Sequence, residues 1–182
     1  MDHMILGLLL LRSCSIYELQ QRIEAGLNLM YSSSLGSIQA ALKKLLKAGF
    51  VEVRQENTGK RQKKIYSVTP AGKADFSSWV SSPMETESAK NPELGKLYFM
   101  AFSDPAVRCQ NLRSALQNLR KLHAVLSAIV EEGLHMEVPP EAREILHYQL
   151  ASARFGRDSI RFQIDWYENF LKEEENRCEK EK

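Results

Sequence analysis

Between Leu35 and Val68 the spacing of apolar residues changes period once. In SSSLGSIQAALKKLLKAGF, Leu35, Ile38, Leu42, Leu45 and Leu46 fall on one helical face. A serine among Ser32 to Ser34 is placed to cap that helix, and Gly49 stands where a left-handed C-cap is wanted. Phe50 to Gln55 then alternates apolar and polar residues, the period of a strand. Asn57-Thr58-Gly59-Lys60 supplies turn chemistry, and Lys64 to Val68 returns as a second strand. The stretch therefore reads as an amphipathic helix feeding a β-hairpin.

The flanking segments extend this pattern. Asp2 to Leu11 is a short, almost wholly apolar helix, and Ser15-Ile16-Tyr17-Glu18 is a capping box opening a second helix to about Glu24. Thr69-Pro70 opens a fourth helix, with Phe76, Trp79 and Val80 as its apolar face. SSPMETESAKNP then loses periodicity and reads as a linker, and Pro92 to Phe102 forms a short helix. Asp104-Pro105 opens a long helix to about Glu132, striped by Leu112, Leu116, Leu119, Leu122 and Leu126. Pro139-Pro140 opens the last helix, to about Glu175, where Leu146, Leu150, Ala153, Ile160, Ile164, Tyr167 and Leu171 keep a 4-3 rhythm. Arg157 is the one charged residue at a seam position; it either pairs with a carboxylate such as Asp158 or Glu168 across the interface or snorkels to solvent. The expected fold is mostly α with a small β-hairpin: a winged helix-turn-helix domain plus a long-helix C-terminal dimerisation domain. The expected divisions are 1–81, a linker over 82–92, a helical dimerisation and effector region over 93–176, and a charged tail over 177–182, with fraying expected after Lys172.

Charge separates the two halves. The 182 residues carry a formal net charge of +2. The first 81 hold 11 Lys and Arg against 6 Asp and Glu, and the remainder hold 14 against 17. A basic amino-terminal half points to a polyanionic partner. The longest apolar run, Met4 to Leu11, is too short to span a bilayer, lacks the marks of a signal peptide, and leads to an expectation of a cytoplasmic protein. Cys14, Cys109 and Cys178 form no CxxC, and His3, His123, His135 and His147 are scattered. There is no GxSxG, GxxxxGK[ST], GxGxxG or HExxH, so neither an enzyme nor a cofactor is expected.

Three helices followed by a hairpin match the arrangement in which the third helix enters the major groove and the hairpin, or wing, reaches the flanking backbone. Ser34, Ser37 and Gln39 on that helix, and Lys60, Arg61, Lys63 and Lys64 on the wing, with Arg54 on its first strand, are the candidate DNA-binding residues. Gln39 can pair bidentately with adenine, and the wing cations can displace counterions from phosphates. Lys43, Lys44 and Lys47 are either further phosphate contacts or ordinary lysines compensating the helix dipole. A winged protein–protein module without DNA binding is the competing reading; the retained basic wing argues against it.

These residues resemble the PadR family of bacterial transcription regulators. Ile5–Glu24, with its Tyr17-Glu18-Leu19 triplet, is similar to the family's opening helices. Leu35–Val51 is similar to its recognition helix, and Lys63–Val80 to its second wing strand and following helix. Gly156 and Trp166 sit where longer members carry a Gly and a Trp. Gln39-Ala40 replaces the family's usual Tyr-Pro, and the wing reads Gly59-Lys60-Arg61-Gln62 rather than Gly-Arg-Pro. The resemblance implies a homodimer reading a palindrome, repression as the usual outcome, and a small-molecule effector bound near aromatics such as Trp79, Tyr98, Phe99, Phe102, Phe155, Trp166 and Tyr167. The expected dimer interface comprises Leu112, Leu116, Leu119, Leu146, Leu150, Ile160, Ile164, Trp166, Tyr167 and Leu171.

Overall fold

The computed structural model describes residues 1–26, 34–58, 61–84 and 93–180. They fall into two compact units, Met1–Glu87 and Ser88–Lys182. The first contains α1 (Asp2–Leu11), α2 (Ile16–Gly26), α3 (Leu35–Lys47), β1 (Val51–Thr58), β2 (Arg61–Val68) and α4 (Pro70–Val80). The second contains α5 (Glu93–Tyr98), a 3-10 turn over Met100–Phe102, α6 (Pro105–Leu134) and α7 (Pro140–Lys180).

In the first unit, α1 donates nearly its whole surface to the core. Ile5 and Leu6 are fully buried, and they meet Leu19 and Ile23 of α2, Ile38 and Leu42 of α3, and Val51 of β1. Each such side chain contributes about 1.5–3 kcal/mol when removed from water. The strands pair antiparallel from Val51 opposite Val68 to Thr58 opposite Arg61, so the hairpin is longer than the alternation alone suggested. Asn57 and Thr58, expected in the turn, extend β1. The loop between α1 and α2 also joins the sheet: Cys14 and Tyr66 exchange backbone hydrogen bonds at 3.2 and 3.0 Å.

Two local devices set the angle at which the hairpin leaves α3. Gly49 takes φ +72°, a left-handed value that terminates α3 and suits glycine. Thr69 caps α4 by accepting from the Gly72 amide at 3.1 Å while its hydroxyl donates to the Gly49 carbonyl at 2.7 Å. At Gly72 a Cβ would collide with the Phe50 carbonyl oxygen, so only glycine permits that approach of α4 to the junction between α3 and β1. Of the apolar face expected on α4, Phe76 packs beneath Gly7, whereas Trp79 and Val80 are exposed.

The second unit is an antiparallel pair. Leu116 and Leu126 of α6 pack against Ile160 and Ile164 of α7. Ion pairs Arg108–Glu174, Arg113–Glu175 and Arg120–Glu168 run along the seam, and Gly133 of α6 faces the Leu150 side chain near its other end. Glu174 is itself buried and also accepts from Arg177, and α7 runs to Lys180, past the end near Glu175 that the sequence pattern suggests. Three helices with a two-stranded wing, followed by long helices, make this a winged helix-turn-helix architecture with a helical C-terminal region. Among the described residues no helix is long and apolar enough to cross a membrane.

Candidate nucleic-acid interface

The cap that starts α3 also prepares its first turn. Ser34 accepts from the Ser37 amide at 3.3 Å, and its hydroxyl donates to the Ser37 oxygen at 2.7 Å. With Ile38, Ala41, Leu42 and Leu45 buried, the opposite face of α3 is exposed. Its centre line is Gly36, Ala40, Lys43 and Lys47, spaced i, i+4, i+7, i+11, with Ser37 and Lys44 on one flank and Gln39 on the other. The amino-terminal half of this face is almost without relief, and its carboxy-terminal half is cationic.

The lysines of this surface are not equivalent. Lys44 is bound by Asp2, the first residue of α1, at 2.6 Å, and the carboxylate's hydrogen bond and charge raise the lysine's pKa. Lys43 and Lys47 are exposed and have no ion pair among the described residues. The wing divides in the same way. Side chains alternate across a strand, so Lys63 and Lys64 leave β2 on opposite faces. Lys63 lies opposite Glu56 and is ion-paired with Glu18 of α2 at 3.1 Å, so this part of the basic run does have a carboxylate partner, though a distant one in sequence. Lys64 lies opposite Gln55 and is exposed, with no ion pair among the described residues. Arg54, exposed and opposite Ile65, shares its face with Glu52 and Glu56. Lys60 lies outside the described residues, and Arg61 is the first residue of β2.

Glu18 is the residue whose importance to this surface the sequence did not announce. Its carboxylate accepts from the Ser15 amide at 2.7 Å and the Ser15 hydroxyl at 2.6 Å, in addition to the Lys63 ammonium. Those Ser15 hydrogen bonds, followed by the one from Lys63, lower its pKa from an ordinary 4.5 to about 2. The capping box was visible as a local motif; the lysine that completes it comes from another element.

In the second unit most of the expected interface residues lie against the chain's own helices. Leu112, Leu116, Leu150, Ile160 and Ile164 are buried within the chain's own α6–α7 seam, and Leu119, Leu146, Tyr167 and Leu171 are half-buried. Trp166 alone of the ten is exposed. Arg157 pairs with its neighbour Asp158 at 2.8 Å. A second stripe outside the 4-3 seam lies on α7: Ile145, Tyr148, Phe155, Phe162 and Trp166 are all exposed, with Phe155 at 77% and Phe162 at 69%. Ser152 and Ser159 stand between them at heptad spacing, so the stripe was present in the sequence as a second phase of the same rhythm. Among the other aromatics, Trp79 stacks on His3 with ring centres 4.8 Å apart, and Tyr98, Phe99 and Phe102 contact one another in series, all three exposed.

Comparison with known proteins adds four findings. Residues 5–78 match the model of the transcriptional regulator PadR-like family. Over 176 residues, 94% of this chain and 95% of the relative, the sequence is 31% identical to the negative transcriptional regulator PadR of Bacillus subtilis strain 168. The fold superposes on Bacillus subtilis PadR in complex with operator DNA, at a TM-score of 0.79 and 24% identity, covering 95% of this chain and 96% of that one. It likewise matches the same regulator in complex with p-coumaric acid, at a TM-score of 0.72 and 23% identity, covering 96% and 98%.

Proposed function

The chain belongs to the transcriptional regulator PadR-like family, and on that footing we propose that it represses transcription as a DNA-bound homodimer. In this reading residues 1–81 grip the duplex, with α3 in the major groove and the hairpin on the flanking backbone. The observation that carries it is the exposed face of α3. Gly36 and Ala40 put no bulk between the helix backbone and the floor of a groove. Ser37 and Gln39 flank that smooth centre with hydrogen-bonding groups, and Gln39 has the geometry to take adenine N6 and N7 together. Lys43, Lys47 and Lys64, without ion-pair partners among the described residues, supply phosphate contacts, joined by Lys60 and Arg61 of the same basic run in the sequence. Lys44 and Lys63, already held by carboxylates, stand aside from that set.

Residues 93–176 supply the dimer. Since the first α7 stripe is spent on α6, the surface offered to a second copy is the exposed one, Ile145, Tyr148, Phe155, Phe162 and Trp166. A two-fold dimer presents two copies of α3 and so reads a palindromic site. The likeness to a regulator crystallised with p-coumaric acid makes a small aromatic acid the first effector to try.

The test is a binding titration against duplex selected from random-sequence DNA, repeated across salt concentrations with Lys43→Gln, Lys47→Gln and Lys64→Gln. Each substitution is expected to flatten the slope of log affinity against log salt by about 0.9 for every phosphate it leaves unneutralised. A slope unmoved by all three would remove the basis for the reading. In the same titration, p-coumaric acid is expected to weaken binding.

A further inference from the structure

We propose that Glu18 is a built-in counter-ion that withdraws Lys63 from the DNA backbone and so limits the grip of the wing. The inference rests on the DNA-binding reading above. Counterion release requires a protein cation that is free to neutralise a phosphate, which then sheds the salt cations condensed on it. Lys63 meets the Glu18 carboxylate at 3.1 Å, so it can neutralise a phosphate only by giving up that partner. A mobile carboxylate could give way to phosphate, but Glu18 is pinned. It accepts two hydrogen bonds from Ser15 at 2.7 and 2.6 Å, at the amino-terminal end of α2 where the helix dipole favours a negative charge. Displacing it would break the capping box as well as the ion pair.

The location also matters for the wing as a whole. Lys63 and Lys64 point to opposite faces of β2, and only the face bearing Lys63 is neutralised. The carboxylate of Glu56, opposite Lys63 in the register, adds negative charge on that same face. Glu18 therefore does two things: it fastens the hairpin to α2, and it leaves the other face to meet the phosphates. Sequence-independent affinity is lowered by one neutralised phosphate per wing.

Glu18→Gln tests this cleanly because glutamine also serves in a capping box, keeping the acceptor for Ser15 while dropping the charge. Salt-dependent binding would be measured for the full-length wild type, Glu18→Gln, Lys63→Gln and the double variant. Glu18→Gln is expected to steepen the slope by about 0.9 per wing engaged, which makes the affinity loss between 50 and 200 mM salt about 3.5-fold larger per wing. Adding Lys63→Gln to that variant is expected to abolish the gain. An unchanged slope in Glu18→Gln overturns the proposal. So does a flattening in Lys63→Gln alone equal to that of Lys64→Gln, which is decisive even if Glu18→Gln folds poorly. Wild-type protein with no salt-sensitive attraction to any duplex would bring down the DNA reading itself, an outcome separate from these.

Discussion

Glu18 shows how one side chain can be half legible. Its place in the capping box follows from Ser15 standing three residues earlier, and the structure contains those bonds. Its ion pair with Lys63 was invisible because pairing across elements depends on how the hairpin packs, which no local pattern encodes. The pairing has a consequence for acid stability. In the folded protein Glu18 holds its charge down to about pH 2, whereas an unfolded glutamate takes up its proton near 4.5. Below 4.5 the unfolded chain binds more protons than the folded one, so the stabilisation is complete above that pH and lost as pH falls toward 2. The side chain is 39% exposed, so solvent screening holds the contribution to about 1 kcal/mol. Urea midpoints measured from pH 6 to pH 2 are expected to fall less steeply for Glu18→Gln than for wild type. Parallel curves would mean the carboxylate is not held as described.

At the scale of elements, the helices were readable because their stops and starts are local. Ser34, Thr69 and Asp104 each cap a helix by accepting from an amide two or three residues on, and Gly49 ends α3 at positive φ. The hairpin was readable in its existence but not in its length or facing. The sequence presents four close cations as one patch, yet the pleat sends Lys63 and Lys64 to opposite sides. The junction of α3, β1 and α4 sets the hairpin's attachment, and Thr69 and Gly72 hold it. Thr69→Ala removes both the cap and the bond to the Gly49 carbonyl, and is expected to cost about 1–2 kcal/mol in denaturant unfolding. Gly72→Ala, which drives a methyl group into the Phe50 carbonyl, should cost more than Thr69→Ala. If Gly72→Ala were as stable as wild type, the close approach would not be what holds α4 to β1.

On the scale of the whole molecule, the proposed dimer cannot be read from the stripe the sequence singles out, because α6 of the same chain already covers much of it. A 4-3 rhythm says that a stripe must be covered, not by what, and Leu150, Ile160 and Ile164 are covered by the chain's own α6. The second stripe suits self-association by its arrangement. Its members at 145, 148, 152, 155, 159, 162 and 166 are nearly symmetric about the Phe155–Gly156 peptide. An antiparallel copy of α7 would set Trp166 against Ile145 of the partner subunit and Phe162 against Tyr148 of the partner subunit, with small serines and Gly156 making room near Phe155. From Ile145 to Trp166 the helix runs about 32 Å at 1.5 Å per residue, enough for an interface of useful length. Phe155→Ser combined with Phe162→Ser should therefore yield a folded monomer by light scattering, with helical content retained because neither ring belongs to the α6–α7 core. Leu116→Ala should do the opposite, lowering stability by about 2–5 kcal/mol through a core cavity while leaving the exposed stripe intact. Each half of the proposed palindrome would then have to be bound independently, so the monomeric variant should also lose most of its affinity for selected duplex while keeping weak, salt-sensitive attachment to DNA. A double serine variant that remains dimeric would place the interface elsewhere.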